Sequence, residues 1–400
     1  MSTYSIKSIT VLLTLSLLLV ACGGSSGSSS STPSDQNNTA TVLIPAPTAK
    51  YPVASSPVII DNNLVNPAID YWKGKIINGT RYSMNDIIKK GSETIVFPVA
   101  VPHNEIYGSV QDNNLSFVAY LLHPTSLQNT DPDADVQGHI FPKMRPEGSP
   151  AKFPNASQQY PLVVYSHGSY DNPVAEIELL SNLAMQGYIV MAIWHCDGIY
   201  TEDSPEQLSM RPLEMKKAID YILQDPVYGK YIDQSKIAAM GQSLGGLSVA
   251  GLVGAKLINF ARSEAENKLV WMDVENDHRV KAAIGTVPYF GGVDTYGYTT
   301  ADTTGIFAPY IALAAANDND ADYNLIKSNM QSINNVDRYL VKFNGYGHDL
   351  VDAVTAHDII GWSDVFLDSY LDNNTTSKTL LTKAQSVEGY ADDHQVDLTK

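Results

Sequence analysis

Cysteine is almost missing from this chain of 400 residues, which holds only Cys22 and Cys196. Two thiols cannot build a disulfide framework, and they fall short of the paired Cys-x-x-Cys sets that zinc sites use. The nine histidines include no H-x-H or H-x-x-x-H pair, so no metal site is expected from them either. Basic residues are scarce: 26 Lys and Arg stand against 43 Asp and Glu, a formal charge of -17. No Lys/Arg cluster offers the positive face that phosphate contacts require, which argues against nucleic acid as a partner. An acidic surface keeps a protein soluble, and solubility outside the cell accounts for the charge more simply. No internal repeat is visible. What is plentiful is apolar side chain, 44% of residues, enough for a sizeable core in one large domain or two modest ones.

The N-terminus carries Lys7 and then the apolar run Ile9 to Val20, too short for a stable bilayer span of about 20 residues but suited to a secretory signal. Its end, Leu19-Val20-Ala21-Cys22, resembles the lipobox of bacterial lipoproteins. That resemblance implies removal of residues 1–21, acylation of Cys22 as the lipid anchor and attachment to a membrane. Gly23 in place of aspartate implies the outer membrane, facing the periplasm or the surface. Residues 22–41 are rich in Gly and Ser and form a flexible tether. With Cys22 lipidated, Cys196 has no partner in the chain and is expected as a single buried thiol.

Residues 42–160 are expected to cover one edge of the main domain, with strands over Glu93 to Ala100 and Leu115 to Leu122 before a long polar loop. The carboxylates of Asp131, Asp133 and Asp135 lack the glycine and glutamate of a calcium loop and are read as solvated. From Pro161 onward strands and helices alternate regularly, which points to α/β architecture with a mostly parallel central sheet. Strands are expected over Leu162 to Ser166, Tyr188 to Trp194, Lys236 to Met240, Lys281 to Thr286, Pro309 to Ala316 and Arg338 to Phe343. Helices are expected over Ala175 to Met185, Pro212 to Leu223, Leu244 to Phe260 and His357 to Leu371, within a core of residues 161–391 followed by a tail, 392–400.

The centre of this pattern is Gly241-Gln242-Ser243-Leu244-Gly245-Gly246, an apolar strand leading to a glycine-flanked serine and a small-residue helix. Such a strand-turn-helix elbow holds a serine hydroxyl clear of its own backbone, and glycine on either side removes the collisions a sharp turn would cause. A serine nucleophile needs a base and an acid, which in this architecture follow it at later strand ends. Asp318 and His348 occupy those places, with Asp320 left open as an alternative acid. The backbone N–H groups of Leu244 and Ser169 are the expected oxyanion donors. Tyr170, His195, Tyr289 and Phe290 are candidates for the substrate cleft, His167 for its rim, and Pro288 to Thr304 for a flap over it.

The phrases Val163-Val164-Tyr165-Ser166-His167-Gly168, Gly187-Tyr188-Ile189-Val190 and Trp194-His195-Cys196-Asp197-Gly198, followed by the elbow, resemble the platelet-activating-factor acetylhydrolase group. Bacterial polyester hydrolases, whose acid loop Ala315-Ala316-Asn317-Asp318 resembles, and dienelactone hydrolases are related to it. The resemblance implies the α/β hydrolase fold, with helices on both faces of the sheet, and hydrolysis of carboxylic esters without a cofactor or metal. The chain departs from the group at Gln242, where histidine is commoner, and at Cys196, where a basic residue is commoner. Ser243 points away from dienelactone hydrolases, whose nucleophile is cysteine. The expectation is thus an exported serine esterase acting on a small-molecule, lipid or polymer ester, of open oligomeric state. A peptidase of the same fold and a catalytically silent binding lipoprotein are the alternatives.

Overall fold

The computed structural model describes residues 41–56, 95–100, 114–136, 139–146, 148–169, 171, 173–195, 207–272, 274, 276–291, 301–350, 356–389 and 394–399. Cys22 and the signal segment, Tyr170, Cys196 and residues 292–300 of the expected flap lie outside the described residues.

The fold is mixed α/β around a sheet of ten strands. In chain order these are β1 (Val53–Ser55), β2 (Ile95–Ala100), β3 (Asn114–Pro124), β4 (Tyr160–Ser166), β5 (Ile189–Trp194) and β6 (Ile232–Gln242). They continue with β7 (Val280–Thr286), β8 (Tyr310–Ala315), β9 (Arg338–Phe343) and β10 (His394–Thr399). Their spatial order is β10-β9-β8-β7-β6-β4-β5-β3-β1, with β2 also paired to β3. The block from β9 to β5 is parallel, while β3 joins β5, and β10 joins β9, antiparallel. Leu162 to Tyr165, Ile189 to Ile193 and Ile237 to Met240 are fully apolar and buried, the pattern of strands covered on both faces.

Seven helices among the described residues complete the fold: α1 (Ile177–Met185), α2 (Gln207–Gln224), α3 (Leu244–Leu252), α4 (Phe260–Glu266), α5 (Tyr323–Ser332), α6 (Ala356–Leu371) and α7 (Thr375–Lys383). Helix α2 packs on α3, and α1 on α6. After β4 the chain steps outward to β5 and then returns past β4 to lay down β6 on the other side. The loops leaving β4 and β6 therefore diverge, and the crevice between such loops is where ligands bind in open α/β sheets.

Several elements depart from the sequence reading. Helix α3 stops at Leu252 rather than Phe260, because the chain turns at Gly254, whose φ is +111°. A Cβ there would lie 2.5 Å from the carbonyl oxygen of Gly305, so only glycine permits the turn. Residues expected as a C-terminal tail instead form β10, in register with Tyr339 to Phe343. Helices α5 and α7 were not anticipated, yet each is capped by a side chain that accepts two backbone N–H groups: Asp322 from Asn324 and Leu325, Asn374 from Thr376 and Ser377. Among the described residues no helix is long and apolar enough to cross a membrane.

Candidate active site

Ser243 sits between β6 and α3 with φ 52° and ψ -117°, a conformation that costs a non-glycine residue on the order of 1–3 kcal/mol. The surroundings hold it there. Its N–H donates to Thr286 O at 2.9 Å, and its carbonyl accepts from the N–H of Tyr289 at 2.9 Å and of Gly246 at 2.9 Å. The flanking glycines are required by space. A Cβ at Gly241 would fall 2.3 Å from Gly245 O, and one at Gly245 would fall 2.0 Å from Ser166 O.

His348 and Asp318 reach this serine from the ends of β9 and β8. His348 Nε2 lies 2.9 Å from Ser243 Oγ, and its Nδ1 lies 2.8 Å from Asp318 Oδ2. A carboxylate only accepts, so Nδ1 carries the proton and Nε2 accepts from the serine hydroxyl. The other oxygen of Asp318 accepts from the N–H groups of Asp320 and Ala321, each at 2.8 Å, and its side chain is fully buried. Asp320, the alternative acid, is exposed and contributes to this contact through its backbone. The hydrogen bond to Asp318 raises the His348 pKa above the ordinary 6.5 against the opposing effect of burial; the charges of Asp318, Asp320 and Asp349 add to the rise. Side-chain atoms of Asp318, Asp320 and His348 lie within 4.8 Å of one another, close enough to offer ligands to a metal. Because His348 uses both ring nitrogens on Asp318 and Ser243, a metal there would displace that arrangement.

The loop leaving β4 runs beside the serine: a Cβ at Gly168 would be 3.7 Å from Ser243 Cβ. Ser169 follows, and Leu244 is the first residue of α3. Among the described residues no hydrogen bond takes the N–H of either. Leu244, in the first turn of α3, has no intrahelical acceptor for its N–H, which is suited to an anion.

Behind the loop lies a buried polar group that sequence reasoning missed. Arg211 and Glu214, both 0% exposed, stand one turn apart on α2. Arg211 donates through Nη1 to His167 O and through Nη2 to Gly168 O. His195 donates from Nδ1 to Glu214 Oε2 and accepts at Nε2 from Ser166 Oγ, 2.7 Å away. Burial, then the neighbouring Arg211 and His167, hold the His195 pKa well below 6.5, in accord with a neutral ring. On α1's N-terminal side, burial and the charges of Asp171 and Asp349 push Glu176 up to about 8.

His195, expected in the cleft, thus has a fully buried side chain occupied by Glu214 and Ser166. Phe290 is 1% exposed and packs near Tyr310, ring centroids 5.9 Å apart, so it too backs the site rather than lining it. Tyr289 is partly buried, and its N–H clamps Ser243. His167 spends both ring nitrogens internally: Nδ1 donates to Gly168 O at 2.8 Å, and Nε2 accepts from His195 N–H at 3.2 Å. Arg211 and Glu214 gave no signal beyond charge inside an otherwise apolar helical face, Leu213, Met215, Ala218, Ile219 and Ile222. In comparisons with known proteins the chain matches no protein-family model and no curated protein.

Proposed function

We propose that this protein is a serine hydrolase of the α/β hydrolase fold that cleaves carboxylic esters through an acyl-enzyme. The observation that carries the proposal is the continuous hydrogen-bonded line from Asp318 through His348 to Ser243, on a strained elbow at the switch point of a parallel sheet.

In this reading His348 Nε2 takes the proton of Ser243 Oγ as the oxygen bonds to the ester carbonyl carbon. The carbonyl oxygen becomes an oxyanion, and the N–H groups of Leu244 and Ser169 are its donors. When the tetrahedral species collapses, the C–O bond to the alcohol breaks and His348 returns the proton to the leaving alkoxide. Water then attacks the acyl-serine with His348 again as base, releasing the acid and restoring Ser243. Asp318 keeps the imidazole in the required tautomer and stabilises its cation in each half. The same proposal puts the enzyme on a membrane outside the cytoplasm, a reading supported by the resemblance of Leu19 to Cys22 to a lipobox.

Hydrolysis of p-nitrophenyl esters of graded acyl length tests the activity. Turnover by the wild type and a loss of about 10⁴-fold or more in Ser243→Ala are expected. Turnover that survives in Ser243→Ala would reject the nucleophile.

A further inference from the structure

The carbonyl oxygen of Gly168 accepts two hydrogen bonds from the interior, one from Arg211 Nη2 at 3.0 Å and one from His167 Nδ1 at 2.8 Å. The preceding carbonyl, of His167, is taken by Arg211 Nη1. Among the described residues no peptide bond is cis, and in a trans peptide the N–H points opposite to the C=O. The N–H of Ser169 is therefore directed away from the buried guanidinium. Nothing local would otherwise fix it: Gly168 has ordinary clearance for a side chain, 3.7 Å at the nearest atoms, and glycine rotates about its backbone freely. A flipped Gly168–Ser169 peptide would turn a carbonyl dipole where a donor is needed. The other end of the assembly is also held, since His195 donates its N–H to His167 Nε2 and is itself anchored by Glu214 and Ser166.

We infer that Arg211 is a positioning residue whose two-pronged grip on the His167 and Gly168 carbonyls fixes the Ser169 N–H as an oxyanion donor. The inference rests on the esterase reading above. Lysine retains the charge but not the planar fork that reaches two carbonyls, so it separates positioning from electrostatics.

The test compares wild type, Arg211→Lys, Arg211→Gln and His167→Leu on a p-nitrophenyl ester and in binding a trifluoromethyl ketone, which forms a tetrahedral adduct with the serine. Folding is checked by circular dichroism. Both Arg211 variants are expected to lose about a hundredfold in kcat with KM little changed. Ketone affinity should fall in parallel with kcat/KM, and the acid limb of the pH profile, which reports His348, should stay in place. His167→Leu, which removes the second donor to Gly168, should show a smaller loss of the same kind and serves if the Arg211 variants do not fold. Full activity in Arg211→Lys, or ketone affinity unchanged in the folded variants, would overturn the inference. A wild type that neither hydrolyses the ester nor binds the ketone would instead overturn the esterase reading, and this inference with it.

Discussion

The raised pKa of His348 has opposite consequences for activity and for stability. In the proposed reaction the base acts only when neutral, so kcat/KM should rise with pH through a value above the 6.5 of an unperturbed histidine. Asp318→Asn removes the carboxylate whose hydrogen bond is the largest cause of the shift, and should lower both the rate and this apparent pKa. A profile of kcat/KM against pH whose acid limb sat below 6.5 in the wild type would contradict the arrangement. For stability the sign reverses: a pKa raised on folding contributes stability that is full below 6.5 and is lost as pH rises through the folded value. Glu176 acts in the same direction: its pKa moves from 4.5 to about 8, so its contribution is full below 4.5 and is lost as pH rises through about 8. Thermal unfolding should therefore show wild-type Tm falling from pH 5 to pH 8 more steeply than that of Glu176→Gln. Parallel curves would show that Glu176 does not titrate as described. That Ser243, Asp318 and His348 come together was legible because chain order and strand ends restrict where such residues can stand. Arg211, Glu214 and Glu176 were not, since charge in a helical stretch reads as a solvated face until the packing around it is known.

Individual elements were legible where local chemistry sets them. Strands β4 to β9 follow from short apolar runs, and the elbow from glycines whose replacement would collide with backbone. Gly245→Ala places a Cβ 2.0 Å from Ser166 O and should cost on the order of 3 kcal/mol or prevent folding. Gly168→Ala meets nothing closer than 3.7 Å and should leave Tm nearly unchanged. Equal Tm values for the two variants would show that the close approach of α3 to β4 is not as described. The end of α3 was read too far along because apolar residues continue past it, although Gly254, where the chain turns with positive φ, was a local stop signal. Helices α5 and α7 escaped notice because few of their residues are buried, Ile326 and Met330 in α5, Ser377 and Leu381 in α7, leaving the caps as their main signal.

At the scale of the whole molecule, alternation of strands and helices pointed to a parallel sheet, but not to which strands end it. The edge at β9 is covered by β10, a pairing between segments far apart in sequence that no local pattern reveals. Removing residues 392–400 would make β9, with its buried Leu340, Val341 and Phe343, the edge strand in place of the more polar β10, and an apolar edge invites association. The truncated chain should have a lower Tm and scatter light in proportion to concentration; an unchanged Tm with a monomeric species would make β10 dispensable. If Cys22 carries the proposed lipid anchor, Cys22→Ser should move the protein from the membrane to the soluble fraction without altering ester turnover. Unaltered fractionation would reject the anchor. The central claim, that Ser243 is a nucleophile activated by His348, is tested most directly by reacting the full chain with a fluorophosphonate and mapping the labelled peptide. Label on Ser243, slowed at least about a hundredfold in His348→Gln, is the predicted result; a folded protein that takes no label, or takes it on another residue, would contradict it.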